Sequence, residues 1–426
     1  MKKAIDLLGS EKLLTAAFIF FVAVYIVFDI KGMYNTPIEI ANNDNYIGLF
    51  NNFLNAGYYD SIAKGTSILY NVFLYGIYFL TRDVDVSFFL LNAMSELTIL
   101  LFGCFFCYKV FGKKNKYFYI VVSWYVLQVL SMRSSLRASN DTFLGVFVML
   151  LLYLLIVKLY DRRREVLTFS LLGLLLSITM AIRVTAILLL PLIIIALAYW
   201  FKNTEMAVVY RLKLLVIFAF VTAFVTLCFH YPSLVEHQKL SYESKEPNMP
   251  VNWVQRNYLG LKKIEDGTEK MHRDAIWNNT KFDEVLTYTQ KNGANSLPKT
   301  LPEVIVKNPL MLFKIAIYNG VFTVLNYFRF WGFLFLLPIF GLCSRSIMSR
   351  EKLPTTLFVV YLAIISTVCF SFIELRWVYG YEVLIPVGIL AYLSKPVYFA
   401  SVPKKNAIFS LSLMLVSLFH LKSIFF

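Results

Sequence analysis

The sequence predicts an all-α integral membrane protein of about 11 transmembrane helices, within a range of about 9–13, with further helices lying in the outer membrane interface. Three observations carry this expectation. Of the 426 residues, 58% are hydrophobic and 16% charged, and the mean hydropathy is +0.64; soluble domains carry roughly 25% charged residues. Apolar runs such as Val184–Phe201 and Leu214–Phe229 are about as long as a hydrocarbon core of ~30 Å requires. The basic excess behind the net charge of +15 falls in short clusters at the ends of these runs: Lys2/Lys3, Lys113/Lys114/Lys116, Arg162–Arg164, Arg211/Lys213, Arg345/Arg350/Lys352 and Lys404/Lys405. That distribution marks cytoplasmic loops and argues against a nucleic-acid partner, which would need the charge gathered on one surface.

Taken in order, the first run, Leu13–Ile30, is followed by no cleavage pattern and is expected to stay as an outward-running anchor. A polar outer loop over 31–64 holds Glu39, Asp44, Asp60 and Lys64. The stretch 66–80 is short, Tyr-rich and apolar on one side. If it crossed, Lys113–Lys116 would fall outside, so it is expected to lie in the outer interface. Spans follow at 87–111, 117–132, 142–160, 166–181, 184–201 and 212–230. The longest polar segment, 231–308, reads as a periplasmic loop or small subdomain. Residues 310–328 suit either a span or a second interfacial helix, and spans at 330–343, 354–372, 377–394 and 407–424 complete the chain. The organisation is thus an N-terminal transmembrane module over 1–230, the 231–308 segment, and a C-terminal transmembrane module over 309–426. There is no internal repeat of the kind that marks many secondary transporters.

This topology gathers Asp44, Asp60, Lys64, Arg133, Arg137, Asp141, Arg183 and Arg376 on the outer face. Carboxylates at the mouths of membrane helices are costly, because they leave water there, and so invite a functional reading. Asp44 sits in Asn42-Asn43-Asp44-Asn45-Tyr46, and Asp141 in Ser139-Asn140-Asp141 between two apolar runs. Carboxylates with several arginines suit glycosyl transfer from a lipid-phosphate sugar. A carboxylate takes the proton from the attacking hydroxyl. Glycoside hydrolysis also needs an acid for its departing alcohol, whereas a departing phosphate needs only cations to hold its charge, for which Arg is well shaped.

The order of these features resembles the GT-C membrane glycosyltransferases, in particular bacterial relatives of protein O-mannosyltransferases and the lipid A aminoarabinose transferase. The resemblance covers about residues 13–395 and rests on five features. These are Asp44 with Tyr46 in the first outer loop; Gly57-Tyr58-Tyr59-Asp60 and Lys64-Gly65 ahead of the interfacial stretch; and Asn140-Asp141-Thr142 opening a later span. The last two are Arg183 ahead of Pro191, and Arg376-Trp377 ahead of Pro386. It implies a GT-C-like fold and an inverting hexosyltransferase. Such an enzyme moves a sugar from a polyprenyl-phosphate donor to an envelope glycan or lipid on the periplasmic face of a bacterial inner membrane. Residue by residue it implies Asp44 as general base and Asp141 as a catalytic acid residue that orients acceptor or sugar and competes for the base role. Lys64, Arg183 and Arg376 would hold the donor phosphate, and Tyr46 would shape the acceptor side together with 231–308. The chain departs from the commoner Asp-Glu pair, since Asn45 follows Asp44. No metal ligands are assigned, and the need for a divalent metal stays open.

Plainer readings stand beside these. Asp44 also suits a solvated loop among asparagines. Asp141 suits the first turn of a helix, where it favours the dipole, and Arg183 and Arg376 suit snorkelling at span ends. Cys104 and Cys107 have metal-like spacing but lie in an apolar run, and His230 and His237 are separated by Pro232, so neither pair is expected to bind metal. Asn140 and Asn278 open glycosylation-like triplets. Glu96 is the main acid inside a span and the main discord with the enzyme reading. The rivals are an O-antigen or capsule polymerase, for which Arg256 in the long outer segment would be a functional arginine, a lipid-linked sugar flippase or other transporter, and a structural membrane scaffold.

Overall fold

The computed structural model describes residues 2–35, 46–63, 68–112, 116–161, 164–238, 240, 251–269, 280–340, 352–369, 375–393 and 402–425. It is 87% helical, with no strand among the described residues. The chain divides into two compact units, one comprising Met1–Lys245, Arg329–Tyr361 and Val378–Phe426, the other Glu246–Phe328 and Leu362–Trp377.

The larger unit opens with α1 (Lys2–Leu8), α2 (Glu11–Asn35), α3 (Tyr46–Ala63), α4 (Ile68–Thr81), α5 (Val84–Phe111) and α6 (Lys116–Met132). It continues with α7 (Asp141–Tyr153), α8 (Glu165–Ile182), α9 (Leu190–Asn203) and α10 (Val208–His237). Local chemistry sets the boundaries. The turn between α4 and α5 uses Arg82 in the left-handed region, at φ 56°, and the Asp83 side chain then accepts from Val86 N–H at 3.0 Å as the cap of α5. Gly57, at φ 78°, kinks α3. Pro191 sits in the first turn of α9, where a missing N–H costs nothing. α10 runs through Pro232 to His237, seven residues past the end expected at 230. One proline removes a single ladder bond, which a 30-residue helix tolerates.

Small residues let these helices approach closely. A Cβ on Gly173 of α8 would lie 2.7 Å from the Phe218 carbonyl of α10, and Ser177 donates to the Thr222 carbonyl at 2.9 Å. This is how membrane helices associate where apolar surface alone gives little drive. Elsewhere the core is aromatic. Trp124 of α6 packs against Phe21 of α2 with centroids 4.8 Å apart and stacks on Trp331 at 5.7 Å.

The second unit holds α11 (Trp253–Glu265), α12 (Phe282–Asn292), α13 (Leu301–Lys307) and most of α14 (Pro309–Trp331). Its first helix is closed by a capping box in which Asn252 accepts from Gln255 N–H at 3.1 Å and Gln255 accepts from Asn252 N–H at 2.9 Å. Val251, Leu259, Val285 and Leu297 form its core, a second cluster joins Leu261 to Met311 and Ile315, and Lys263 pairs with Glu284.

The span expected at 330–343 is not one helix. α14 ends at Trp331, and Gly332 turns left-handed at φ 56° with no room for a Cβ beside Ser412 Cα, 2.8 Å away. Phe333 N–H donates to Ser412 Oγ at 3.2 Å. A 3₁₀ turn, Leu334–Leu336, then leads into α15 (Leu337–Phe340). Hydropathy is blind to such a break. The remaining helices are α16 (Leu353–Val368), α17 (Leu384–Leu393) and α18 (Val402–Phe425). All ten residues of α17 are buried, so protein rather than lipid surrounds it.

Eight helices among the described residues are long and apolar enough to cross a membrane: Glu11–Gly32, Val84–Phe111, Asp141–Lys158, Glu165–Ile182, Ala186–Asn203, Val208–Glu236, Pro309–Trp331 and Val402–Lys422. The stretch left between two readings at 310–328 belongs to this set. Those expected at 117–132, 354–372 and 377–394 fall in a shorter class of 10–17 residues, with Leu69–Thr81. The chain has the helices of a multi-pass membrane protein.

Candidate functional site

The segment between α6 and α7 does not loop away into solvent. Arg133 turns left-handed at φ 48°, and its guanidinium reaches back to Asp29 of α2 at 3.0 Å, packing over Gly32, where a Cβ would lie 2.5 Å from Arg133 Nη1. The following residues fold against α5. Ser135 N–H donates to Glu96 Oε2 at 3.2 Å, and Asn92 Nδ2 donates to the Arg137 carbonyl at 2.7 Å. The buried acid that looked discordant in the sequence thus receives a backbone N–H that would otherwise be unpaired among helices.

This path delivers Ser139, Asn140 and Asp141 to the mouths of α3, α4 and α8. The Ser139 carbonyl accepts from Tyr70 O–H at 2.9 Å. Asn140 is fully buried. Its Oδ1 accepts from Tyr46 O–H at 2.8 Å and, more weakly, from Arg183 Nη1 at 3.4 Å, while its Nδ2 donates to the Ile182 carbonyl at 3.0 Å. The last bond ties the start of α7 to the end of α8. Arg183, the residue after α8, forms an ion pair with Asp141, the first residue of α7. Both side chains are about 95% buried, at 5% and 4% exposure. Tyr46 and Tyr70 meet edge to face at 6.3 Å, and Tyr70 packs on Phe143 at 5.7 Å, walling the cluster with aromatic surface.

Of the six residues singled out in the sequence, the structure joins Tyr46, Asp141 and Arg183 in one network. Asp44 and Lys64 lie outside the described residues. Arg376 is in a 3₁₀ segment, Leu375–Tyr381, of which only its backbone is described. Of the residues expected beside them on the outer face, Asp60 is exposed on α3. The Asp141–Arg183 pair changes how each is read. Asp141 is the partner that neutralises a buried guanidinium, and Arg183 is not snorkelling. Among the described residues no group of three His, Cys, Asp or Glu side chains stands close enough to hold a metal ion.

Sequence reasoning missed two things here. The triplet opened by Asn140 is not available to a glycan, because the side chain is fully buried, and that side chain does not cap α7. The spans also hold more buried charge than Glu96. Glu382, 2% exposed, sits at the entrance to α17, where Gln128 Nε2 of α6 donates to its Oε2 at 3.1 Å. An acid in the apolar run Tyr379–Ala391 was legible by the rule that drew attention to Asp141.

Arg256 is held inside the second unit. Its Nε donates to the Thr280 carbonyl at 2.6 Å and its guanidinium lies 5.1 Å above the Phe282 ring. In the same unit the Lys263 ammonium holds the Glu284 carboxyl below the usual carboxylate range. The chain matches no protein family, no curated protein and no solved structure.

Proposed function

We propose that this protein is a polytopic, GT-C-like glycosyltransferase of a bacterial inner membrane. In this reading it transfers a sugar from a polyprenyl-phosphate donor, with inversion, to an envelope glycan or lipid on the periplasmic side. The observation that supports the reading is the buried cluster of Tyr46, Asn140, Asp141 and Arg183 at converging helix ends. It joins a carboxylate, a guanidinium and a phenol, the groups this reading requires, at helix ends. An enzyme on that face needs a donor already carried across, because nucleotide sugars stay in the cytoplasm.

In the proposed reaction a carboxylate, Asp44, accepts the proton of the acceptor hydroxyl. The hydroxyl oxygen forms its bond to the anomeric carbon as the bond from that carbon to the phosphate oxygen breaks, and the electron pair leaves with the polyprenyl phosphate. Cations meet that charge without having to reorganise. Arg183, preset by Asp141 and Asn140, serves from the cluster, with Lys64 and Arg376 as further donors of positive charge. Tyr46 borders the acceptor. Holding Arg183 in a fixed pose lowers the entropy lost when it engages phosphate.

The test is transfer of labelled sugar from a synthetic polyprenyl-phosphate donor by the purified protein beside its Asp44→Asn variant, with donor binding scored in the same samples. Transfer by wild type and its loss in a folded variant support both reaction and base. Undiminished transfer by Asp44→Asn removes the base assignment, and neither binding nor transfer across several sugars removes the reaction. A lipid-linked sugar transporter is the second reading, favoured by the buried acids Glu96 and Glu382. Arg256, which a polymerase reading would use, is engaged within its own unit.

A further inference from the structure

Glu382 has no part in the chemistry proposed above, and the inference drawn from it stands independently of that chemistry. It lies between the 3₁₀ segment Leu375–Tyr381 and α17, in a run buried on every side. Gly380, two residues earlier, is pressed against α7, since a Cβ on it would lie 2.5 Å from Gly145 Cα. The carboxyl is 2% exposed and meets one polar side chain among the described residues, the fully buried amide of Gln128.

The amide bears on the state of the acid. Gln128 uses its donor, Nε2, on Glu382 Oε2 at 3.1 Å. Its acceptor, Oε1, is buried and has no hydrogen-bond partner among the described residues. A carboxylate facing it supplies no donor, so Oε1 stays orphaned and a full negative charge sits in a low-dielectric interior, two costs at once. A carboxylic acid would supply an O–H, and a pair with N–H to Oε2 and O–H to Gln128 Oε1 would match donors to acceptors.

Among the described residues no cation is paired with the carboxyl. Tyr25 of α2 and Tyr125 of α6 are within electrostatic range of Glu382. Cys104 and Cys107 of α5 adjoin Tyr125, and Tyr361 of α16 stacks on Tyr381 at 5.8 Å. Arg329, at the end of α14, acts on Tyr25 and on His420 of α18. Asp141 begins the helix that Gly380 touches. If packing alone mattered, a glutamine at 382 would make the same two hydrogen bonds. What an acid adds is a proton that can be given up.

We propose that Glu382 is a proton-binding site within the helical bundle: a neutral carboxyl that donates to Gln128 Oε1 and exchanges its proton with water. The proton passes to water as hydronium when the site empties and returns from water when it fills, so no other reactant is needed.

Infrared spectra of the full-length protein in lipid nanodiscs at neutral pH, in H2O and D2O, test this. Wild type is expected to show a carboxylic C=O band that moves to lower frequency in D2O and moves again on [13C]glutamate labelling. Glu382→Gln, which keeps an amide pair with Gln128, is expected to lose the band, and Glu96→Gln to keep it. Gln128→Leu is expected to raise its frequency by removing the bond to the C=O. Absence of a glutamate-derived band in wild type overturns the proposal, and the label reads this even if a variant fails to fold. A band that survives in Glu382→Gln, ignores Gln128→Leu, or is unmoved by D2O overturns it equally.

Discussion

Replacing Arg183 by Met removes one member of the Asp141–Arg183 pair while keeping most of its length. Both side chains are about 95% buried, so the Asp141 carboxylate would be left without its counter-charge away from water. Breaking a buried pair from one side costs about 3–5 kcal/mol. The lost contact to Asn140 adds little, because 3.4 Å is long for a hydrogen bond. Asp141→Asn strands the guanidinium instead and is expected to cost a similar amount. The Arg133–Asp29 pair makes a contrast: at 16% and 36% exposure, its ionic part is worth about 0–1 kcal/mol.

At roughly 2–4 °C per kcal/mol, each single variant at the buried pair lowers Tm by roughly 6–20 °C, readable by circular dichroism in detergent. The double variant Asp141→Leu with Arg183→Met removes both charges, so it is expected to recover most of the loss, since apolar replacements of a buried pair are often neutral or stabilising. Sugar transfer is expected to stay absent in the double variant. Single variants within about 1 kcal/mol of wild type, or a double variant as weak as the sum of the singles, would refute the burial argument. Recovery of transfer along with stability would make the pair purely structural.

The remaining expectations concern other parts of the fold. Tyr46→Phe removes the 2.8 Å bond to Asn140 Oδ1 and is expected to cost about 1–3 kcal/mol, because that acceptor is fully buried; chemical denaturation reads it, and an unchanged midpoint contradicts it. Gly380→Ala sets a methyl 2.5 Å from Gly145 Cα and 2.6 Å from its carbonyl oxygen, so a destabilisation of about 1–3 kcal/mol is expected from overpacking. Gly76→Ala in α4, which meets nothing within 4 Å, is expected to stabilise by about 0.5–1 kcal/mol, and equal effects at the two glycines would defeat the packing account. In the second unit the Glu284 carboxyl is held below its usual range by Lys263. Its contribution is therefore present above the ordinary carboxylate value, about 4.3, and lost as pH falls through the lower folded value. With Glu284 39% exposed, solvent limits the effect to about 1 kcal/mol. Amide protection factors in α12, corrected for the intrinsic pH dependence of exchange, should fall on acidification over that window in wild type, and less so in Glu284→Gln.

How much could be read in advance depended on range. The membrane class, most helices and the reach of the stretch expected at 66–80, seen as the helix Ile68–Thr81, followed from local hydropathy. The break at Gly332 did not, because the left-handed turn is held by Ser412 from α18, far along the chain. Asp141 and Arg183 stood out as charges at apolar borders, but nothing in the sequence paired them. They are 42 residues apart, and any of several arginines at apolar borders could have met Asp141. Glu382, an acid in the apolar run Tyr379–Ala391, was legible by the rule that marks Asp141.

The sequence by itself determined that this chain partitions into membrane, since transfer of apolar residues out of water depends on composition and run length alone. It also determined which charged residues stand where charge is costly. Only the tertiary structure decided their partners: that Asp141 neutralises Arg183, that Asn140 ties α3, α7 and α8 together, and that Glu382 faces an amide with an unused acceptor. Such pairings depend on distances of a few ångströms between segments remote in sequence, and helix packing sets those distances.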